Sequence, residues 1–176
     1  MSSLNEKTQP IRAIITDVDG VLTDGGIIYD NLGNELKRFN VKDGMIVRPL
    51  REMGFIVGAI TGRKAEVVKR RLDELGLDFH FHGISHKIEQ YEAVKDKFDL
   101  KDEEIAYIGD DGNDLRVMQQ CGLSACPADA ARHVRERADV TLPEKGGQGA
   151  FRAFAELILE YQNRLDALLP YWGVGK

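Results

Sequence analysis

The chain has 176 residues, 43% hydrophobic and 30% charged, with a net charge of −5. This composition fits one globular domain and excludes a disordered chain, because enough apolar side chain is present to offset the ordering entropy. It also excludes a nucleic-acid binder held by phosphate contacts: 24 Lys and Arg face 29 Asp and Glu, with no basic stripe.

Met1 to Pro10 is polar and carries no apolar signal core, and no apolar run is long enough to cross a bilayer, so the expected location is the cytoplasm. Ile11 to Thr16 reads as a short buried strand ending in acid at Asp17. Gly25 to Val41 reads as strand, turn, strand around Asn31-Leu32-Gly33-Asn34, a small hairpin flap standing over the first strand's end. A helix is expected near Asp43, starting late or kinking because of Pro49. Phe55 to Ile60 is a second strand, ending at Thr61. Ala65, Val68, Leu72 and Leu75 share one helical face. After a short strand at Asp78 to Phe81, Ile88, Tyr91, Val94 and Phe98 form another such face, with Ser85 as its N-cap. Glu104 to Ile108 is a third main strand, and Leu123 to Cys126 and Asp139 to Leu142 are shorter ones. The last helix is expected to be the longest, with Phe151, Phe154, Ile158, Tyr161, Leu165 and Leu168 on one stripe. Cys121 and Cys126 are too few for a disulfide framework or a thiolate zinc site and read as apolar fillers.

Strands alternating with helices imply an α/β fold with a doubly wound, mostly parallel sheet. One domain over residues 1–176 is expected, with the flap at about 25–41 inserted after the first strand. Ligands of such sheets bind beyond the carboxyl ends of the strands, so the polar residues there are the first to consider.

Asp17 and Asp19 lie two apart after the first strand, within Asp17-Val18-Asp19-Gly20-Val21-Leu22-Thr23-Asp24. Two carboxylates held that close repel unless a cation joins them or one takes a proton. Gly109-Asp110-Asp111-Gly112-Asn113-Asp114 follows the third strand, and its acids suit a hard cation such as magnesium. Thr61 and Gly62 offer a hydroxyl and a bare amide at a strand end, a seat for phosphate. Lys87 lies just inside a helix. Together these stations fit phosphoryl transfer through an aspartyl-phosphate. Asp17 would be the nucleophile and Asp19 the acid/base, while Thr61, the Gly62 amide and Lys87 would hold the phosphoryl oxygens. The spacing of His80, His82 and His86 is metal-like, but no fourth ligand stands nearby, and they read as surface or interface histidines. Gly146-Gly147-Gln148-Gly149 lacks the context of a dinucleotide fingerprint and suggests a mobile loop near the site or a neighbour's.

On these stations the sequence resembles the haloacid dehalogenase-like phosphatases. The resemblance implies that family's Rossmann-like fold without a large cap domain. It places Asp17 on the nucleophile, Asp19 on the acid/base, Thr61 and Lys87 on the second and third motifs, and Asp110 on the metal acid. It also implies a magnesium ion held by Asp17, the backbone carbonyl of Asp19, and Asp110, with Asp111 and Asp114 supporting or alternative ligands. The likeness narrows over Ile11 to Leu159, through Asp19-Gly20-Val21-Leu22-Thr23-Asp24-Gly25, Phe39-Asn40-Val41-Lys42-Asp43-Gly44, Ile60-Thr61-Gly62-Arg63-Lys64 and Gly146-Gly147-Gln148-Gly149-Ala150. There it is to the branch that dephosphorylates 3-deoxy-D-manno-octulosonate 8-phosphate in lipopolysaccharide precursor synthesis. That branch implies a homotetramer in which a neighbour completes the site, with Arg63 and Lys64 near the anionic end of the sugar acid. Departures are Gly112-Asn113 after the acid pair, His86 before the lysine, and the tail Tyr171 to Lys176. A nine-carbon keto sugar acid phosphate remains an alternative substrate, although Arg63 favours the eight-carbon one. A non-catalytic oligomerisation module and a receiver domain are the readings from other classes. The first is opposed by the presence of all four stations, the second by the acid pair on the first strand.

Overall fold

The computed structural model describes residues 3–174. Gly175 and Lys176, the end of the unusual tail, lie outside them. Among the described residues six parallel strands form one sheet, in chain order β1 (Ala13–Thr16), β4 (Ile56–Ile60), β5 (Phe79–Phe81), β6 (Ile105–Ile108), β7 (Leu123–Cys126) and β8 (Val140–Thr141). Their spatial order is β5-β4-β1-β6-β7-β8. The remaining strands, β2 (Ile28–Tyr29) and β3 (Glu35–Leu36), pair antiparallel as a separate hairpin.

Among the described residues seven α-helices pack around the sheet: α1 (Leu4–Thr8), α2 (Val41–Glu52), α3 (Glu66–Leu75), α4 (Lys87–Phe98), α5 (Leu115–Gln120), α6 (Arg132–Arg135) and α7 (Ala150–Tyr161). The pleat explains the two cores. Ala13 and Ile15 of β1 join Tyr91 and Val94 of α4, Val117 and Met118 of α5, and Val134 of α6. Ile14 points the other way, toward Ile46, Val47 and Leu50 of α2, Val68 and Leu72 of α3, and Phe151, Phe154 and Ile158 of α7. All four residues of β1 are buried, as a strand covered on both faces requires. Each fully buried aliphatic side chain contributes about 1.5–3 kcal/mol. Gly58 of β4 sits under the Phe79 ring, where a Cβ would lie 2.2 Å from a ring carbon.

Three helical expectations need correction. First, α2 begins at Val41, capped by Asn40, whose side chain accepts from Lys42 N at 3.0 Å, and it runs through a buried Pro49. Burial of Ile46, Val47, Pro49 and Leu50 against the core offsets the proline's cost, and the helix starts early rather than late. Second, α4 is preceded by His86, not Ser85, and has no side-chain cap at that position. Third, α7 is no longer than α2 or α4, with 12 residues each. Its apolar stripe continues into a separate 3-10 helix over Leu165–Trp172, because Asn163 adopts a left-handed conformation at φ 55. The two cysteines are free and buried, as fillers should be.

Register aligns the strand ends that matter. Thr16 of β1 stands beside Ala59 of β4 and Ile108 of β6. The residues just beyond these three central strands, Asp17, Thr61 and Asp110, therefore emerge side by side at one edge of the sheet.

Candidate active site

Asp17 leaves β1 with its amide donating to Ile108 O at 2.9 Å, the last rung between the strands. Its side chain is buried, and Oδ1 forms an ion pair with Lys87 Nζ at 2.7 Å. Lys87 opens α4 and is itself 1% exposed; its Nζ also donates to Asp114 Oδ1 at 2.7 Å. The Tyr107 hydroxyl of β6 donates to the same oxygen at 2.6 Å. Asp114 Oδ2 accepts the amides of Asp110 and Asp111 at 3.1 and 3.2 Å. Asp114 is thus a bracket that shapes the acidic loop and seats the lysine, with both oxygens occupied.

The sequence reasoning counted Asp114 as a supporting or alternative metal ligand; in the structure both of its oxygens accept protein donors. Gly20, at φ +88, lets the loop after Asp17 pass directly under Asp110, where a Cβ would lie 2.0 Å from Asp110 Oδ2. No other residue type fits there.

Carboxylate oxygens of Asp17, Asp110 and Asp114 lie within 4.8 Å of one another, and one buried ammonium pairs with two of them, Asp17 and Asp114. The imbalance is visible in the acidities. Burial, then the Asp114 charge, pushes Asp17 well above the usual carboxylate range. Burial and Asp114 likewise raise Asp110 to about 7. Oxygen donors in this arrangement, short of positive charge, suit a hard divalent cation, and Asp17 and Asp110 have the exposure on the cleft to hold one.

The cleft above them has a volume of about 510 Å³ and is lined by Asp17, Asp19, Gly25, Thr61, Gly62, Arg63, Asp110, Asp111, Gly112 and Asn113. Thr61 is buried, its amide tied to Phe81 O at 2.9 Å, and Gly62 faces Asn113 across a gap that a Cβ would narrow to 3.2 Å. Lys87 lies beneath the cleft, reaching it through Asp17. Lys64 is not among the lining residues; its Cβ lies near Gly83 instead. His80 and His82 bond each other at 2.8 Å, and His80 meets Asp73 at 3.0 Å, apart from the cleft.

The hairpin contributes side chains that the sequence reasoning missed. Lys37 is ion-paired to Asp19 Oδ1 and lies 3.3 Å from Glu35 Oε1. Arg63 reaches Glu35 at 3.3 Å and Asp19 Oδ2 at 3.9 Å. The glycine-rich segment 146–149 also packs against the site rather than hanging free. Gly147 N donates to Val21 O at 2.9 Å, and Asn40 Nδ2 donates to Gly147 O at 3.3 Å. It therefore touches both roots of the hairpin. Asp43 of α2 holds the helix behind it, accepting the Arg152 amide at 2.9 Å at the start of α7.

A model of haloacid dehalogenase-like hydrolases matches residues 40–122. The 3-deoxy-D-manno-octulosonate 8-phosphate phosphatase of Escherichia coli is 42% identical over 160 residues, which cover 91% of this chain and 85% of that protein. The chain belongs to this family of haloacid dehalogenase-like hydrolases. Two solved members share its fold. The enzyme of that name from Moraxella catarrhalis, in complex with magnesium, phosphate and KDO, has a TM-score of 0.91 at 35% identity, covering 96% of this chain and 97% of its own. The cobalt-bound enzyme from Haemophilus influenzae has a TM-score of 0.89 at 36% identity, covering 95% and 98%. The family's Rossmann-like α/β architecture is the one described above.

Proposed function

We propose that this protein is a magnesium-dependent phosphomonoesterase. Its substrate is 3-deoxy-D-manno-octulosonate 8-phosphate, which it splits to the free sugar acid and phosphate in lipopolysaccharide precursor synthesis. The observation that carries this reading is the buried Asp17, paired to Lys87 and facing Asp110 across a cleft. The family's activity and the ligands of its Moraxella member support the substrate.

Asp17 attacks phosphorus in line and becomes an aspartyl-phosphate. Asp19 protonates the leaving sugar oxygen, then accepts a proton from the hydrolytic water. Thr61, the Gly62 amide and Lys87 hold the phosphoryl oxygens, and Lys87 also keeps the Asp17 carboxylate oriented. Asp17, the Asp19 carbonyl and Asp110 would hold the magnesium ion, which when bound offsets the repulsion between carboxylate and phosphate. Arg63, at the rim, suits the sugar acid's carboxylate by its planar pair of donors. Lys64 would serve the same end only from outside the cleft.

The chain acts as one hydrolase domain with the hairpin as its flap. A flap of this size cannot seal the cleft from water by itself. It exposes apolar side chains: Ile28 at 55% and Leu36 at 51%, paired on one face, with Leu32 at 88% in the turn and Tyr29 at 60% on the other face. Such a patch fits burial against another copy, in a homotetramer whose neighbour completes the site. No helix among the described residues is long and apolar enough to cross a membrane, and a cytoplasmic setting suits the proposed substrate.

The test is phosphate release from the eight-carbon and nine-carbon sugar acid phosphates with magnesium, alongside Asp17→Asn. Preference for the eight-carbon ester and loss of turnover in the variant are expected. Wild-type turnover in Asp17→Asn would remove the covalent route, and preference for the nine-carbon ester would change the substrate alone.

A further inference from the structure

A lysine side chain is rarely buried unless it is paired. The Lys37 side chain is 0% exposed. It follows β3, folds inward, and spends its charge on Asp19 Oδ1, with Glu35 on its other side at 3.3 Å. The two oxygens of Asp19 thereby become unlike. Oδ1 is occupied by the ammonium, whereas Oδ2 is buried at the cleft with no hydrogen-bond partner. The cation on that side, Arg63 Nε, stands off at 3.9 Å.

We propose that Lys37 is a positioning residue for Asp19: it fixes the carboxyl group's rotation and leaves Oδ2 as the oxygen that moves the proton. The inference rests on the reading of Asp19 as acid/base. In the first half-reaction an Asp17 oxygen bonds to phosphorus and the ester P–O bond breaks, its electron pair staying on the sugar oxygen. The proton on Asp19 Oδ2 moves to that oxygen. In the second half-reaction water bonds to phosphorus, the Asp17–phosphorus bond breaks with its pair returning to the carboxylate, and a water proton passes to Oδ2. A carboxyl free to rotate would present either oxygen, or neither, to the leaving group. Glu35 completes the arrangement by holding the ammonium from behind, and by receiving Arg63 it ties the flap to the rim of the same cleft.

The test exploits leaving-group chemistry. A sugar alkoxide needs the proton, whereas p-nitrophenolate leaves without one. Single-turnover phosphorylation of Asp17 would be followed in the full-length, magnesium-loaded enzyme with the sugar acid phosphate and with p-nitrophenyl phosphate. Lys37→Met keeps the length and removes the charge. It should slow the alkyl ester about 10²-fold, the cost of a misplaced catalytic group. The aryl ester should slow about threefold or less, since its leaving group needs no acid. Lys37→Arg should recover most of the alkyl rate. Equal losses on both esters, or no loss on either, would overturn the role. Asp19→Asn separates the two levels of the argument. If it shows the ester-dependent loss and Lys37→Met does not, Lys37 alone is misassigned. If Asp19→Asn shows no such difference, the acid/base reading itself falls. Thermal unfolding of each variant checks that the fold is intact.

Discussion

Removing Asp114 gives the sharpest view of how the site is held together. Asp114 is completely buried, and four donors converge on it: Lys87 Nζ, the Tyr107 hydroxyl, and the amides of Asp110 and Asp111. Asp114→Ala strands all four at once. Breaking a buried ion pair by removing one partner costs about 3–5 kcal/mol, because an uncompensated charge stays behind. Asp17 still faces Lys87 at 2.7 Å, so the lower end of that range applies to the pair. The orphaned Tyr107 hydroxyl and loop amides, at about 1–3 kcal/mol for a buried unsatisfied group, bring the total back up. Asp114→Asn keeps the shape and one acceptor, and should cost about 2 kcal/mol, the worth of a charge-assisted hydrogen bond. Urea unfolding in metal-free buffer measures both without the contribution of ion binding. Because both Asp114 oxygens are occupied, Asp114→Asn should still bind magnesium, with affinity lowered about 10–100-fold through the disturbed loop. Two results would refute the bracket role. One is an Asp114→Ala variant as stable as the wild type. The other is an Asp114→Asn variant of unchanged stability that binds no magnesium, the behaviour of a direct ligand.

Three further outcomes follow from particular contacts. Gly20→Ala would drive a Cβ to 2.0 Å from Asp110 Oδ2 in a left-handed backbone; magnesium affinity by calorimetry should fall about 10-fold or more, as for other changes that misorient a ligand. Gly147→Ala would place a Cβ 2.7 Å from Asp24 N at φ +67, and should cost about 1–3 kcal/mol of stability by overpacking while lowering kcat. Asp43 of α2, buried against the start of α7, has its pKa raised by burial from 3.8 to about 6. The folded state therefore keeps this proton to a higher pH than the unfolded chain does. Its ionisation should remove about 3 kcal/mol of stability as pH rises from about 4 to 6, and the loss should persist above that. Asp17 and Asp110 are shifted in the same direction. The Asp43 share is read as the difference between wild type and Asp43→Asn across that window, and parallel stability curves would contradict it.

Much of the site was legible because its residues sit where apolar runs stop. Asp17, Thr61 and Asp110 each follow a buried strand, and parallel register then brings them to one edge. Lys87 was legible only through its companions, since a lysine near a helix start is usually solvated. What stayed hidden was set by tertiary closure. Lys37 lies in an exposed hairpin like any other surface lysine, and nothing local announces that it turns inward. Asp114 looked like one more acid in an acidic loop, because composition counts carboxylates but not which of their oxygens are engaged. Asp43 reads as a first-turn acid of α2, whereas its hydrogen bond goes to α7, 109 residues away. The apolar stripe past Tyr161 kept its helical spacing through Asn163, so periodicity alone could not mark the break. α4 begins at Lys87, which pairs with Asp17, so His86 rather than Ser85 precedes the helix, with no side-chain cap to mark the place in the sequence.

Asp17 carries the phosphate in the central step of the proposed reaction. Rapid quenching of the magnesium-loaded enzyme during turnover of the sugar acid phosphate, followed by borohydride reduction and peptide mass spectrometry, reads that directly. An acyl phosphate is reduced to an alcohol, so residue 17 should appear as homoserine, in amounts that rise and fall with turnover. Turnover at full rate with residue 17 always recovered as unmodified aspartate would contradict the account.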